Sequence, residues 1–413
     1  MDTLLVLGYV WPEPNSSAAG WRMLALLKLF RQKGWRVIFA SPAEQGLHRV
    51  NLPELGIEEQ QVQLNDSSFD HQLQCWQPQV VMFDRFMLEE QFGWRVANVC
   101  PDALRLLDTE DLHFLRQARQ QAYKAQRPVT QADLSGETAQ REVAAIYRSD
   151  LSLIISEVEL QLLQQQFAVP QSLLHYCPFW FDQPPAAAPA FDERRNLVFI
   201  GNFRHEPNWQ AVLWLKKLWP ALRQRLPGVE LHIYGAYPPP KATQLHAPKQ
   251  GFFIKGWAQD AQLVLQQARL LLAPLPFGAG LKGKLVEAMR TGTPSVTTRV
   301  GAEGIADSAD WPGAVAEDED SLISAVVALY QQKELWQHKQ LQGYALVQHR
   351  FGAGQAELFW QRLTQLLQHL PAHRLNNFTG AMLNLHHQRS TQYMAQWIEA
   401  KTALAALKQE ISS

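Results

Sequence analysis

The chain is short of the features that commit a protein to a specialised class. Only three cysteines, Cys75, Cys100 and Cys177, occur in 413 residues, far apart and with no C-x-x-C pair. This excludes a disulfide scaffold, argues against a cysteine-built zinc site, and makes a reducing cytoplasm the expected compartment. No apolar run approaches the roughly 20 residues that span a bilayer. Charge of one sign is not in excess: Lys+Arg 38 against Asp+Glu 39 leaves a formal charge of −1, so no nucleic-acid partner is expected. No internal repeat is evident. The opening MDTLLVLGYVWPEPN has no basic segment before its short apolar stretch, and it reads as a first strand rather than a signal peptide.

What is present is an ordinary core-forming composition, 46% hydrophobic and 19% charged, arranged as two α/β halves. Thr3–Val10 is an apolar run ended by Pro12, Pro14 and Asn15. Met23, Leu26, Leu27 and Phe30 then fall at helical spacing, Gly34 sits where a C-cap glycine belongs, and Trp35–Ala40 is a second strand. That βαβ unit implies a parallel sheet. Further strands are expected at Val80–Asp84, Leu104–Leu107 and Leu151–Ser156, with helices over Phe114–Gln126 and Glu142–Arg148. Gln183–Ala190, QPPAAAPA, is a stiff extended connector. The pattern then restarts with strands at Asn196–Gly201, Val229–Gly235, Gly251–Lys255, Leu270–Pro274 and Pro294–Thr298. The intervening helix carrying Val212, Leu215, Trp219, Leu222 and Leu226 should be kinked or split by Pro220. The expected domains are therefore residues 1–182, a linker at 183–190, residues 191–345, and C-terminal helices over 346–413 that partly pack back on the first domain. In the last of these, Met382, Leu385, Tyr393, Trp397, Ile398, Leu404 and Leu407 form a broken apolar stripe. It reads as a face packed on the body; a dimer contact or a membrane surface is the other reading.

The chemistry concentrates in Ala273–Gly304, APLPFGAGLKGKLVEAMRTGTPSVTTRVGAEG. A strand runs into a glycine-rich turn (Gly278, Gly280, Gly283) and then a helix start, where unpaired N–H groups carry partial positive charge. Lys282 and Lys284 add full charges, which is what a diphosphate needs. Glu287 lies on the face of Lys284, one turn deeper, where it can accept hydrogen bonds from ribose hydroxyls. The same residues satisfy G-x-G-x-x-G, with Glu303 20 residues beyond Gly283, so an NAD-type dinucleotide fingerprint is a rival, although it would normally open its domain. Asp318-Glu319-Asp320 has the D-x-D form of a divalent-metal site, but it precedes Leu322, Val326 and Leu329 and reads as the acidic start of a helix. Arg116, Arg119, Lys124 and Arg127 line one presumptive helix, either as a solvated face or as a contact for anionic lipid or a phosphorylated acceptor.

The second half resembles the donor domain of GT-B glycosyltransferases of the retaining family 4. The matching residues are Ile200-Gly201-Asn202-Phe203, His205-x-Pro207-Asn208, His232–Gly235, Gly256-Trp257, and above all Pro274-Leu275…Gly278-Ala279-Gly280-Leu281-Lys282-x-Lys284…Glu287-Ala288-Met289…Gly292-Thr293-Pro294. The first half matches more weakly, through the Pro12–Gly20 loop, Asp108–His113 and Asp150…Glu157. Two departures stand out. Ala279 replaces a first glutamate eight residues before Glu287, and Asn202 replaces an arginine after the strand glycine.

The resemblance implies two doubly wound Rossmann-like domains facing a cleft, and transfer of a sugar from a nucleotide-diphosphate sugar to a glycan or lipid-linked hydroxyl, with retention, no metal and no other cofactor. Surface-polysaccharide or lipopolysaccharide synthesis at the inner face of the membrane is the implied setting. Lys282, Lys284 and Gly280 would neutralise the leaving diphosphate, with Gly278 and Leu281 also binding the donor, and Glu287 would hold the ribose. Arg204 and His205, after Gly201 and Asn202, would reach the phosphates; Gly256 and Trp257 would lie at the base. His113 would stand near the transferred sugar. Asn15, Ala19 and Gly20 would face the cleft, and Asp108 and Asp111 would serve as acceptor-site carboxylates or helix caps. A non-catalytic relative that binds a glycan or a partner is the alternative.

Overall fold

The computed structural model describes residues 1–181 and 188–412; the expected connector at 183–190 lies outside them over 183–187. In the first lobe the order is β1 (Thr3–Leu7), α1 (Ala18–Gln32), β2 (Arg36–Ser41), β3 (Glu58–Gln61), α2 (Ser68–Trp76), β4 (Val80–Asp84), α3 (Phe86–Val99), β5 (Leu104–Asp108), α4 (His113–Lys124), α5 (Glu137–Arg148), β6 (Leu151–Ile154), α6 (Glu157–Phe167) and β7 (Leu174–Tyr176). The second lobe contains β8 (Leu197–Ile200), α7 (Glu206–Arg225), β9 (Leu231–Tyr234), α8 (Pro240–Thr243), β10 (Phe252–Gly256), α9 (Ala261–Gln267), β11 (Leu270–Ala273), α10 (Gly283–Arg290), β12 (Ser295–Thr297), α11 (Arg299–Ala302), β13 (Gly313–Val315), α12 (Glu319–Gln331) and α13 (Lys333–Arg350). Two long helices follow, α14 (Gly354–Leu375) and α15 (Phe378–Ser412).

Each lobe holds one parallel sheet, ordered β3-β2-β1-β4-β5-β6-β7 in the first and β10-β9-β8-β11-β12-β13 in the second. Central strands such as β1 (TLLVL) and β4 (VVMFD) are buried along their whole length, as strands covered by helices on both faces must be. The strand order reverses direction at β1/β4 and at β8/β11. A doubly wound sheet opens a crevice at such a point, beyond the carboxyl ends of the strands, and in this protein the two crevices face each other.

The sequence expectations hold for most of the sheet and fail in four informative places. β1 ends at Leu7 rather than Val10, and residues 8–10 lead into the cleft. α7 runs unbroken through Pro220; the proline lies on the solvent-exposed side of the helix, where water can serve the carbonyl that loses its N–H partner. The stripe on α15 is not packed: Met382, Tyr393, Trp397 and Leu404 are exposed. That helix instead meets the first lobe through Glu399, whose carboxylate accepts from Ser67 N and Oγ, with Ala395 buried, and Asn377 just before it donates to the Tyr147 carbonyl. The arginines expected along one helix are not a free face either: on α4, Arg116 pairs with Asp111 and Arg119 with Glu303, and Arg127, beyond the end of α4, pairs with Asp133. α14 does return to the first lobe, where Phe359, Leu363 and Leu366 join the core of Leu27, Phe30 and Trp35. No described helix is long and apolar enough to cross a membrane.

Candidate active site

The two crevices merge into one cleft of about 710 Å³ lined by both lobes. On its second-lobe wall, β11 runs into the turn 274–282 and α10 begins at Gly283. The glycines answer to close approach. Gly280 has φ +61°, and a Cβ there would lie 2.8 Å from Asp111 Cβ of the facing lobe. A Cβ on Gly283 would lie 2.5 Å from Ala18 Cβ, so the amino ends of α10 and α1 meet across the cleft. A Cβ on Gly201 would lie 2.5 Å from Lys284 Nζ.

That ammonium is held in place. Lys284 Nζ donates to Asn208 Oδ1 at 2.6 Å and lies 4.3 Å above the Phe199 ring. Burial brings its pKa down to about 7, against the pull of Glu287. Burial likewise pushes Glu287 up to about 7, opposed by Arg290 and Lys284. Lys284 and Glu287 are thus each poised to change charge when an anion or a hydroxyl arrives.

Lys282 behaves differently from the expectation. It borders the cleft, but its ammonium is turned into the loop and donates to the Gly280 carbonyl at 2.8 Å. Burial lowers it to about 8, while Glu303 holds it up. The Gly280 amide is not free for a phosphate, because it donates to Glu159 Oε1 at 2.7 Å, and the same oxygen accepts from Leu112 N at 3.1 Å. Glu159, unmarked in the sequence reading, therefore ties the glycine turn to the first lobe. Arg119 adds a second tie, donating to the Gly278 carbonyl at 2.7 Å and to both oxygens of Glu303. The open end of the cradle is consequently the start of α10, with Lys284 beside it.

Glu159 carries a pH signature. Burial is the first cause that raises its pKa, to about 8, and Asp111 adds to it. A carboxyl whose folded pKa lies above its unfolded value stabilises the fold below about pH 4.5 and loses that contribution as pH rises towards 8. Glu159→Gln abolishes this loss. Denaturant unfolding should show the variant gaining on the wild type from pH 5 to pH 8; a pH-independent difference contradicts the assignment.

Most of the remaining predicted residues converge. Asn15, Ala19, Gly20, Asp111, His113, Gly201, Asn202, Arg204, His205, Gly278, Gly280, Leu281 and Glu287 all line the cleft. Asn15 bridges the lobes, its amide donating to the Gln259 carbonyl at 3.1 Å. Asn202 Oδ1 accepts from Arg204 N at 2.9 Å, and the Arg204 guanidinium lies 3.7 Å over the Tyr237 ring. Tyr237 in turn donates to Glu13 Oε1 across the cleft at 2.6 Å. His113 Nδ1 is 3.1 Å from the Asp111 carbonyl and 3.4 Å from Glu142 Oε1. Burial would push the Asp111 carboxyl up, but the Arg116 guanidinium overrides it and holds it well below the usual range.

Three expectations are corrected. Asp108 is fully buried and takes no part in the cleft lining; it pairs with Arg22, whose guanidinium also donates to the Cys177 carbonyl. Neither Asp108 nor Asp111 caps α4: the Glu142 carboxylate accepts from His113 N and Phe114 N instead. Gly256 and Trp257 also stand outside the lining, and the indole of Trp257 stacks on His48 of the first lobe at 4.2 Å and 12°. The Asp318 triplet opens α12, with Asp318 Oδ1 accepting from Ser321 N at 2.8 Å. Among the described residues no group of three His, Cys, Asp or Glu side chains is arranged to hold a metal ion.

Residues 194–332 match the family model described as Glycosyl transferases group 1. No curated protein matches the chain. Among solved structures, Anabaena HepE in complex with UDP-glucose has a TM-score of 0.68 at 13% identity, over 89% of this chain and 100% of that one. Sucrose-phosphate synthase from Thermosynechococcus elongatus has a TM-score of 0.65 at 15% identity, over 89% and 100%. WaaG, a glycosyltransferase involved in lipopolysaccharide biosynthesis, has a TM-score of 0.59 at 12% identity, over 83% and 94%. The fold is GT-B, and the family match lies within the second lobe.

Proposed function

We propose that the protein moves a sugar from a nucleoside-diphosphate sugar, seated on the second lobe, to a hydroxyl acceptor held on the first. One observation carries the reading: in the lobe that matches the glycosyltransferase family, the ammonium of half-buried Lys284, in the first turn of α10, lies against Gly201 at the β8/β11 crevice. When the bond between the anomeric carbon and the diphosphate breaks, negative charge grows on the departing phosphoryl oxygens. Preorganised donors aimed at that charge in a water-poor cleft are the largest catalytic contribution such a site makes. Lys284 and the N–H groups opening α10 supply it, so the reading requires no metal ion. Glu287, one turn deeper, accepts from the ribose hydroxyls. Retention at the anomeric carbon rests on the resemblance alone. The UDP-glucose bound by HepE and the part WaaG plays in lipopolysaccharide biosynthesis favour a glycoconjugate product.

Incubation with a panel of UDP-, GDP-, ADP- and CMP-linked sugars tests the reading. Release of nucleoside diphosphate from at least one UDP-, GDP- or ADP-sugar is expected. Failure of the whole panel to bind or turn over favours the non-catalytic alternative.

Binding itself should move a proton. Lys284, with a pKa near 7 when buried alone, is mostly neutral at pH 8, and a bound diphosphate restores its charge. Calorimetry in buffers of different ionisation enthalpy should show uptake of about one proton per nucleoside diphosphate at pH 8, lost in Lys284→Met.

A further inference from the structure

Among the described residues, seven non-glycine residues have left-handed backbone: Asn65, Gln77, Arg85, Glu110, Gln126, Ala168 and Tyr237. Four have local explanations. Gln77 and Ala168 are the C-caps of α2 and α6, Gln126 follows the end of α4, and asparagine tolerates the conformation. The remaining three, Arg85 (φ 74°), Glu110 (φ 62°) and Tyr237 (φ 55°), all line the cleft. Arg85 is the N-cap of α3, a position that ordinarily takes extended backbone with negative φ, so a helix end explains none of the three, and strained backbone of that kind gathers at ligand sites. Tyr237 is already engaged by Arg204 and Glu13. Arg85 and Glu110 have no hydrogen-bonded side-chain partner among the described residues.

Both stand just beyond neighbouring strand ends, Arg85 after β4 and Glu110 after β5, beside the β1/β4 reversal. Among the described residues the Arg85 guanidinium donates no hydrogen bond and the Glu110 carboxylate accepts none. Arg85 lies 5.0 Å over the ring of Tyr9, which follows β1 and is 45% exposed. Asp84 completes the group. It is 4% exposed; one of its oxygens accepts from Tyr9 N at 2.9 Å. The other oxygen has no hydrogen-bond partner, with Arg85 Nε 3.6 Å away.

We propose that Tyr9, Asp84, Arg85 and Glu110 form the acceptor subsite, and that the acceptor presents a sugar ring there. The inference rests on the proposed sugar transfer and names its second substrate. The group offers open acceptors on two carboxylates and open donors on one guanidinium. Neighbouring ring hydroxyls, each donor and acceptor at once, satisfy both. An anionic head group meets two carboxylates, and an alkyl chain leaves all of these polar groups unpaired at a cost. The Tyr9 ring gives a flat apolar face with a polar edge, suited to one face of a pyranose. Glu110 and Arg85 bind the acceptor; the leaving group stays with Lys284 on the opposite wall.

The test uses the full-length protein, saturated with the nucleoside diphosphate it binds, on an array of immobilised mono- to tetrasaccharides. Wild type should capture a subset of the glycans. Glu110→Gln should weaken that capture about three- to tenfold, as loss of a hydrogen-bond partner implies, and Arg85→Lys and Tyr9→Ala should weaken it too. All three should keep wild-type affinity for the nucleotide by calorimetry. Tyr9 is exposed enough that its truncation leaves the fold in place should Glu110→Gln not fold. Nucleotide binding without capture of any glycan overturns the inference, as does equal capture by wild type and variants. Failure of wild type to bind any nucleoside diphosphate overturns the underlying reading instead.

Discussion

Lys284→Met should lower kcat/KM for sugar transfer by about 10²- to 10³-fold, the loss that follows removal of one preorganised donor to developing negative charge. The unliganded protein should at the same time become more stable at pH 7. A lysine whose folded pKa is pulled from 10.5 to about 7 penalises the fold at every pH below about 7, and the penalty fades only as pH climbs towards 10.5. Methionine keeps the stem over Phe199 and removes the charge. Glu287→Gln should act in parallel. Burial raises that carboxyl from 4.5 to about 7, so its cost to the fold is absent below about pH 4.5, grows as pH rises and is complete above 7. The combination of falling activity with rising stability distinguishes functional from structural charges, because a structural pair lost would lower both. Steady-state kinetics and denaturant unfolding on the same preparations read it out. Unchanged transfer in both variants contradicts the assignment.

The opposite signature is expected 86 residues along the chain from Arg22, at its partner Asp108. Both side chains are essentially inaccessible, and Arg22 reaches the carboxylate through Nε and Nη2 while Nη1 serves the Cys177 carbonyl at 2.5 Å. Asp108→Ala strands a buried guanidinium and should destabilise the protein by about 3–5 kcal/mol. The surviving folded molecules should keep wild-type affinity for acceptor. The double variant Arg22→Met/Asp108→Leu should recover much of the loss, since apolar replacement of a buried pair is often close to neutral. A fully stable Asp108→Ala protein that has selectively lost its acceptor would restore the carboxylate to the substrate-binding role the sequence first suggested for it.

What could be read from the sequence followed from contiguity. The glycine turn, the two lysines and Glu287 lie within ten residues, and elementary helix electrostatics reads them as one anion-binding unit. The sheet was legible for the same reason, as runs such as Val80–Asp84 are compact and apolar. Three kinds of information were not. Lys282 and Lys284 look equivalent in sequence, yet Glu159 and Glu303 turn one of them inward. Trp257 looked like a platform for a base, but only the fold shows His48 lying against it. Arg85 and Glu110 sit in no motif, and their significance comes from backbone conformation at two strand ends that the topology makes neighbours. The α15 stripe failed for a further reason: amphipathic spacing reveals a face, not whether anything covers it.

The position of the two phosphoryl groups is the decisive point. A crystal structure of the protein with the nucleoside diphosphate it binds should place the distal phosphate at the start of α10, with an oxygen about 3 Å from Lys284 Nζ and from a backbone N–H of that helix. A diphosphate bound elsewhere in the cleft, with Lys284 still on Asn208 and nothing at the helix end, would contradict it.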